Sequence, residues 1–267
     1  MNISASSSLY KYVAVCAAMA MFAVVFAIGG SAAPSAAPSS TKIAAHTSPA
    51  VQPTTIVELF TSQGCASCPP ANKFLATLLD DPNVLTLSYS IDYWDYLGWK
   101  DTFGKSEFSA RQRTYGQQWG GRVYTPQMVV NGEAHSKKFT KRQLLKHRLP
   151  KAGSDPASYD IKIVQADDKI EVSIPPTNIP PKGAVDNAVT VSAVRYIPGL
   201  QTVSVKRGEN KGRDLVLSNI VTQCDPIGTW NGAKEFSTQI DALATGEALV
   251  VLVQTEPGGP IVAAVQF

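Results

Sequence analysis

The sequence predicts an α/β domain followed by a β-rich domain, and three observations lead to this fold class. A strand, a helix and a second strand follow one another between Ile56 and Ile91, as in a βαβ unit. Another helical segment precedes the next strand, which ends at Val130. Short strand-like runs with few helices fill the chain after Pro150. The 267 residues, of which 44% are hydrophobic and 17% charged, suffice for two modest hydrophobic cores.

Residues 1–32 have the pattern of a signal peptide. Lys11 is the only charged side chain before the apolar run Tyr12–Ile28, and small residues follow it. Residues 33–53 are rich in Ala, Pro, Ser and Thr without an apolar period, which predicts a disordered linker. We therefore expect a periplasmic or secreted protein, attached to a membrane only if the N-terminal segment stays uncleaved.

The first predicted domain opens with the βαβ unit. Ile56–Phe60 is predicted as a strand, and a turn with the cysteine pair Cys65-Ala66-Ser67-Cys68 follows it. The next helix has Pro69-Pro70 in its first turn, where a missing N–H costs nothing. Apolar residues at helical spacing give this helix one buried stripe, and Val84–Ile91 is predicted as the second strand.

A helical insertion is predicted between the second strand and the third. The aromatic segment Asp92–Trp99 is followed by a helix from Ser106 to about Trp119. The third strand is entered through Thr125-Pro126, and Asn131-Gly132 after it predicts a two-residue hairpin. An amphipathic helix ending near Leu149 closes this domain, which we place at residues 54–150.

Residues 156–267 are predicted to form a β-rich, sandwich-like second domain. Alternating or β-branched runs separated by Gly, Pro and Asn support this interpretation. The predicted strands are Tyr159–Ile163, Lys169–Ile174, Ala188–Tyr196, Gln201–Lys206, Leu215–Thr222, Ala248–Gln254 and Ile261–Phe267. Arg207–Arg213 joins two of them and is interpreted as a tight hairpin with outward charges, the alternative being a recognition loop.

The cysteine pair is the strongest chemical signal in the sequence. We expect the helix to begin at Cys65, where free N–H donors and the positive end of the helix dipole favour a thiolate. Cys65 is therefore predicted as the nucleophile, and Cys68 as the resolving thiol that closes a disulfide. Cys224 is interpreted as a small buried hydrophobic residue, the alternative being a third redox thiol.

The aromatic loop after the second strand supplies candidate substrate-binding residues. These are Asp92, Trp94, Asp95 and Trp99. Ligands gather at the carboxyl ends of strands in open α/β sheets, so the loop could grip a substrate chain. Aromatic rings this close together fit a small satellite core equally well.

Charged residues near the predicted strands give two further hypotheses. Glu58 has apolar neighbours on the first strand, and it is either a buried proton acceptor for the resolving thiol or a solvated carboxylate. Arg111 and Arg113 on the inserted helix are expected to be solvated rather than bound to an anion.

No cofactor or metal site is predicted. Neither a second cysteine pair nor a nearby histidine pair completes a zinc site, although two thiolates are chemically able to bind copper(I). The net charge of +3 is spread without a Lys/Arg block, so a nucleic-acid partner is not expected. The expected partner is a protein or small-molecule thiol or disulfide, and the sequence indicates no particular oligomeric state.

Four segments of the chain resemble a known family. They are Val57–Ala71, Asp92–Asp101, Tyr124–Gly132 and Arg207–Arg213. They are similar, in the same order, to the secreted thioredoxin-like family known as domain of unknown function 1223. The resemblance implies a thioredoxin-like fold and an exported protein, without an established substrate. It also implies that Thr125-Pro126 is a cis peptide that faces the disulfide and pairs with substrate chain. Asn72 replaces the family's usual acidic residue.

Three functional hypotheses follow from these residues. The leading one is a thiol–disulfide oxidoreductase that acts through Cys65 and Cys68 without a dissociable cofactor. The second is a binding or structural module in which the two cysteines form a permanent disulfide. The third is a protein that handles copper(I).

Overall fold

Strands dominate the fold, which is of the mixed α/β class. The computed structural model describes residues 51–150, 159–177 and 188–267. The elements in chain order are β1 (Thr55–Thr61), α1 (Pro69–Ala76), β2 (Val84–Ser90), α2 (Ser106–Gln118), β3 (Gln127–Val130), β4 (Ala134–Ser136), α3 (Lys141–Leu144), β5 (Lys162–Ala166), β6 (Lys169–Ile174), β7 (Val189–Ser204), β8 (Asp214–Trp230), β9 (Phe236–Asp241), β10 (Ala248–Gln254) and β11 (Ile261–Gln266). Within the described ranges, no helix has the length and apolar character needed to span a bilayer.

The predicted signal peptide and most of the predicted linker lie outside the described residues. Val51, near the end of that linker, exchanges two backbone hydrogen bonds with Gln266 of β11. The chain therefore already contacts the folded part four residues before β1 begins.

An eight-stranded mixed sheet carries the cysteine pair. Its strand order is β11-β10-β7-β8-β2-β1-β3-β4. β1 and β2 are parallel, in register from Thr55 opposite Val84 to Thr61 opposite Ser90, with α1 between them in the chain. The predicted βαβ unit is therefore confirmed. The cysteines follow the carboxyl end of β1, the end of an α/β sheet at which ligands collect.

The two faces of β1 pack against different helices. Side chains alternate between the faces of a strand, so Val57 and Leu59 pack with Leu75 of α1. Phe60 points to the other face, where its ring centroid lies 6.0 Å from that of Tyr115 in α2. α2 is the predicted inserted helix and ends one residue before the expected position.

β7 and β8 form one long antiparallel hairpin, whereas the sequence predicted shorter, separate strands. Pro198-Gly199, which suggested a break between two strands, lies inside β7. The pairing register shifts there, between Ile197 and Leu200, and Gly199 has a φ of 79°. Only Ser88 and Ile220 pair between β2 and β8, and β8 also packs against α1. The loop at the end of the hairpin thereby reaches the turn that carries the cysteines.

A second sheet of three antiparallel strands has the order β5-β6-β9. Its buried side chains, such as Ile170 and Val172, share a core with Val191 and Val251 of the large sheet. The sequence analysis missed β9, whose side chains are only half-buried and exposed in alternation. Strands from both predicted domains belong to the eight-stranded sheet, and the position of a domain boundary stays a prediction.

Candidate functional site around the cysteine pair

The site centres on a disulfide between Cys65 and Cys68, in the turn between β1 and α1. The two Cα atoms are 5.5 Å apart. α1 begins at Pro69 and Cys68 is its N-cap, so the prediction that the helix begins at Cys65 is wrong. Pro69 and Pro70 have no N–H to donate to the carbonyls of residues 65 and 66, and the helical hydrogen bonds therefore cannot extend back to the first cysteine.

Thr125 contacts the cysteine turn through both its side chain and its backbone. The Thr125 hydroxyl donates to Cys65 Sγ at 3.3 Å and accepts a hydrogen bond from Trp94 Nε1 at 2.8 Å. The Thr125 carbonyl accepts a hydrogen bond from Ser67 Oγ at 3.3 Å. The peptide bond between Thr125 and the buried Pro126 is cis, as predicted. The predicted residues of the disulfide, the Thr-Pro turn and the aromatic loop therefore meet at one place.

The rest of the aromatic loop supports the cysteine turn indirectly. Trp99 Nε1 donates to Gln63 Oε1 at 2.9 Å, and Asp101 Oδ2 accepts from the Gln63 N–H at 2.7 Å. Asp95 accepts from the Asp101 N–H at 3.0 Å, and Asp92 accepts from a serine hydroxyl of α2. Burial raises the pKa of the Asp101 carboxyl. Trp99 therefore acts on the turn through Gln63, and Asp95 through Asp101, and a part of either residue in substrate binding stays a prediction.

The loop between β7 and β8 contacts the cysteine turn, a position that the sequence analysis did not predict. The Asn210 side-chain amide donates to the carbonyls of Gln63 and Cys65, both at 2.9 Å. The Glu209 carboxylate accepts from the Ala66 N–H at 3.3 Å. The predicted hairpin is confirmed, and its charged residues are exposed as expected, although Glu209 also bonds to the cysteine turn. The one available signal was that this loop is among the four segments that resemble the family.

Both cysteines are buried within the turn. Cys65 is 1% exposed and Cys68 is 0% exposed, whereas Ala66 and Ser67 between them are exposed. Disulfide exchange depends on access to the sulfur. A partner can therefore contact the middle of the turn directly, but it reaches the sulfurs only if a covering residue moves.

Glu58 lies on the opposite face of β1 from α1 and is fully buried. Arg111 Nε donates to Glu58 Oε1 at 2.8 Å, and the Tyr115 hydroxyl donates to the other oxygen. The Arg111 side chain is 12% exposed, so the prediction of a solvated Arg111 is wrong; Arg113 is exposed, as expected. No hydrogen bond in the described part of the chain joins Glu58 to a cysteine, and its role as a proton acceptor stays a prediction.

Arg111 is held in its charged form by the groups around it. Burial by itself lowers the pKa of Arg111, but the Glu58 carboxylate and the neighbouring groups outweigh burial and hold that pKa well above its usual range. Arg111 also donates to Gln254 Oε1 at 3.1 Å. The two opposite charges therefore form one fixed, hydrogen-bonded pair inside the core.

Cys224 belongs to the same side of the sheet as this ion pair. It is half-buried against the core that contains Tyr89 and Phe108, and the Tyr89 hydroxyl donates to its sulfur at 3.9 Å. Burial raises the pKa of the Cys224 thiol, which disfavours a reactive thiolate. A role as a third redox thiol stays a prediction.

An apolar groove adjoins the exposed side of the cysteine turn. It has a volume of about 350 Å³ and lies between α1, β3 and the segment after β4. We call it the α1–β3 groove, and its lining residues are Ser67, Pro70, Ala71, Phe74, Pro126, Met128, Lys137, Lys138 and Phe139. The groove thus extends from the disulfide turn past the proline of the cis peptide.

The fold and the site define a mixed α/β protein with a CxxC disulfide at the carboxyl end of a central strand. The chain belongs to the family described as "Protein of unknown function (DUF1223)", whose model matches residues 56–254. The family predicted from the four segments is therefore confirmed.

Two solved structures are similar to this chain. Protein AGR_C_4864 from Agrobacterium tumefaciens is 30% identical, with a TM-score of 0.62 over 80% of this chain and 93% of that one. HBP35 of Porphyromonas gingivalis is 15% identical, with a TM-score of 0.54 over 81% of this chain and 75% of that one, and at this identity the likeness concerns the fold alone. A search of curated proteins found no match.

Proposed function

We propose that the chain is an exported thiol–disulfide oxidoreductase with a thioredoxin-like first domain, acting through Cys65 and Cys68. The observation that carries this proposal is a disulfide at the N-terminus of α1 whose Cys65 sulfur contacts Thr125. Export is supported by the signal-like pattern of residues 1–32. An exported protein meets an oxidising environment, in which such a pair forms and persists as a disulfide.

The position of each cysteine gives it a distinct part in exchange. A thiol with a lowered pKa is the better leaving group, and the N-cap of a helix is where the dipole stabilises a negative sulfur. Cys68 occupies that N-cap, and Cys65 lies three residues earlier. Attack on Cys65 therefore expels the sulfur that the helix stabilises best.

In the oxidising direction the reaction has two steps. A thiolate of a partner dithiol attacks Cys65 Sγ, the bond between the two protein sulfurs breaks, and Cys68 leaves with the electron pair as a thiolate. The second partner thiolate then attacks the partner sulfur of the mixed disulfide and expels Cys65. The partner has become a disulfide, the protein holds two reduced cysteines, and the protons of the partner thiols pass to solvent or to the new thiolates.

The burial of the disulfide favours a second candidate function. A disulfide that a partner cannot reach behaves as a permanent crosslink, and Cys65 and Cys68 are almost fully buried. In this alternative the chain is a binding or structural module. The oxidoreductase requires in addition that the β7–β8 loop, which Asn210 and Glu209 anchor to the turn, be displaced by the partner.

Equilibration with glutathione buffers separates the two candidates. An exchanger should have a reduction potential between about −270 and −120 mV, whereas a permanent disulfide should lie below about −300 mV. In the oxidoreductase, Cys68→Ser should trap a mixed disulfide through Cys65, and Cys65→Ser should abolish exchange. Cys224→Ser is the matched control and should leave both properties unchanged. Exchange retained in Cys65→Ser, or a potential below about −300 mV, would contradict the proposal.

A further inference from the structure

The α1–β3 groove is apolar over most of its length and starts at the disulfide turn. Phe74 and Phe139 both line it and are half-buried, and both pack against the core formed by α1 and β3. Pro126 and Met128 also line the groove. Concave apolar surface that remains open to solvent is typical of binding sites.

Two positively charged residues line the same groove. Lys137 and Lys138 are exposed at the end of the groove, and none of the residues that line it is acidic. No ion pair involves either lysine in the described part of the chain. Lys137 Nζ lies 5.6 Å from the ring centroid of Tyr124, a contact that leaves the ammonium group available to solvent.

The β7–β8 loop, which contacts the cysteine turn through Asn210 and Glu209, carries further positive charge. Arg207, Lys211 and Arg213 of this loop are exposed, against the single carboxylate of Glu209. Charges placed around a site steer partners of the opposite sign toward it. A partner that binds in the groove beside the disulfide turn therefore meets apolar surface together with Lys137 and Lys138.

We infer that the α1–β3 groove binds an extended polypeptide segment of the partner that combines apolar side chains with acidic ones. The segment places an apolar side chain against Phe74 and Phe139 and a carboxylate beside Lys137 and Lys138. This inference rests on the proposed function insofar as the bound segment would present a cysteine to Cys65. It deepens that function by naming the class of substrate.

Peptides without a thiol test the groove separately from any redox step. We would titrate the oxidised full chain with fluorescein-labelled Gly-Leu-Ser-Leu-Glu-Glu and follow fluorescence anisotropy. Two matched peptides replace Glu-Glu with Lys-Lys or both Leu with Gly. The acidic, apolar peptide should bind tightest, and its advantage over the Lys-Lys peptide should shrink as salt is added, because exposed charges are screened.

Charge reversal at the end of the groove provides the protein-side test. Lys137→Glu/Lys138→Glu should weaken binding of the acidic peptide by about tenfold, the effect of two exposed ion pairs, and strengthen binding of the Lys-Lys peptide. The control Lys146→Glu/Lys234→Glu reverses two exposed lysines outside the groove and should leave the preference for the acidic peptide over the Lys-Lys peptide intact. Phe74→Ser, checked for folding by circular dichroism, should weaken all Leu-containing peptides.

The outcomes distinguish the groove from the proposed chemistry. Equal affinity for the acidic and basic peptides, or equal effects of the two double variants, would overturn the groove assignment even if the disulfide exchanges with glutathione. Selective peptide binding that disappears in Lys137→Glu/Lys138→Glu would support the assignment even if the disulfide proves unreactive.

Discussion

The two faces of β1 have opposite chemical character, although one strand contributes to both. On the α1 face, Val57 and Leu59 lie in an apolar core, and the strand continues from there into the turn that carries the disulfide. On the α2 face, Glu58 forms a buried ion pair with Arg111. The first region leads into the disulfide, and the second holds charges fixed inside the core.

This difference shows why closeness in sequence is a poor guide to shared chemistry. Glu58 is seven positions before Cys65, and a buried carboxylate near a CxxC pair suggested a proton acceptor. Strand alternation instead directs its side chain toward α2, where Arg111 and Tyr115 use its oxygens. Stability and redox chemistry should therefore separate when the two regions are perturbed one at a time.

The largest expected effect is that of Arg111→Ala. The substitution leaves the Glu58 carboxylate buried without its cationic partner, with the Tyr115 hydroxyl as the remaining donor, so the free energy of unfolding should fall by about 3–5 kcal/mol. The reduction potential of the cysteine pair should stay the same, because the ion pair lies on the other face of the strand. Urea denaturation and glutathione titration measure the two quantities.

Arg113→Ala is the matched control on the same helix. Arg113 is exposed, and such a substitution should change the free energy of unfolding by no more than about 0.5 kcal/mol. A shift of more than about 30 mV in the reduction potential of the cysteine pair in Arg111→Ala, equivalent to about 1.4 kcal/mol, would show that the two regions are energetically coupled. That result would give Glu58 the part in redox chemistry that its hydrogen bonds do not indicate.

Asn210→Ala perturbs the other region and should have the next largest effect. The substitution removes two hydrogen bonds to the carbonyls of Gln63 and Cys65, which should cost about 1–3 kcal/mol of stability because those buried groups lose a donor. It should also loosen the cover over the disulfide, so dithiothreitol should reduce the variant several times faster than the parent.

Lys211→Ala is the control within the same loop, since its side chain is exposed. It should change neither the stability nor the rate of reduction. Unchanged reduction in Asn210→Ala would mean that the loop does not limit access, and that the aromatic side or the turn itself shields the sulfurs.

Local sequence patterns were sufficient for most elements of the fold. Hydrophobic periodicity, together with Gly, Pro and Asn at the ends of the elements, predicts the apolar stripe of α1, the strands β1, β2 and β10 and the inserted helix. The cis peptide of Thr125-Pro126 followed from the family resemblance. Apart from the cis peptide, these features depend on residues close together in the chain, which a single sequence displays directly.

Features that depend on distant residues were not predictable in the same way. The β7–β8 loop reaches Cys65 because β8 lies beside β2 and packs on α1, and nothing in Arg207–Arg213 encodes that neighbour. Arg111 has the sequence context of a surface residue, yet its side chain lies in the core, where it pairs with the carboxylate of Glu58, 53 positions earlier. The start of α1 was misjudged because two consecutive prolines remove the donors that would extend it.

The smallest effect expected concerns His135, on β4. Its ring stacks on Trp119 with the centroids 4.1 Å apart, and its Nδ1 shares a hydrogen bond of 2.7 Å with the Tyr124 hydroxyl. Burial lowers the pKa of His135. In the unfolded chain the pKa of this histidine is about 6.5. As the pH falls, His135 is therefore protonated at a higher pH in the unfolded chain than in the folded one.

This order of protonation fixes the sign of the pH dependence. The contribution of the neutral His135 ring to the free energy of unfolding is fully present above about pH 6.5, and it is lost as the pH falls from there through the folded-state pKa. His135→Gln removes the titration, so the variant should lose less stability than the parent between about pH 7.5 and pH 5. Carboxylates elsewhere titrate in both proteins, and their effect cancels in the difference between the two urea denaturation curves. Equal losses of stability in parent and variant would mean that the His135 ring is solvated in the folded chain, and that its packing on Trp119 does not lower its pKa.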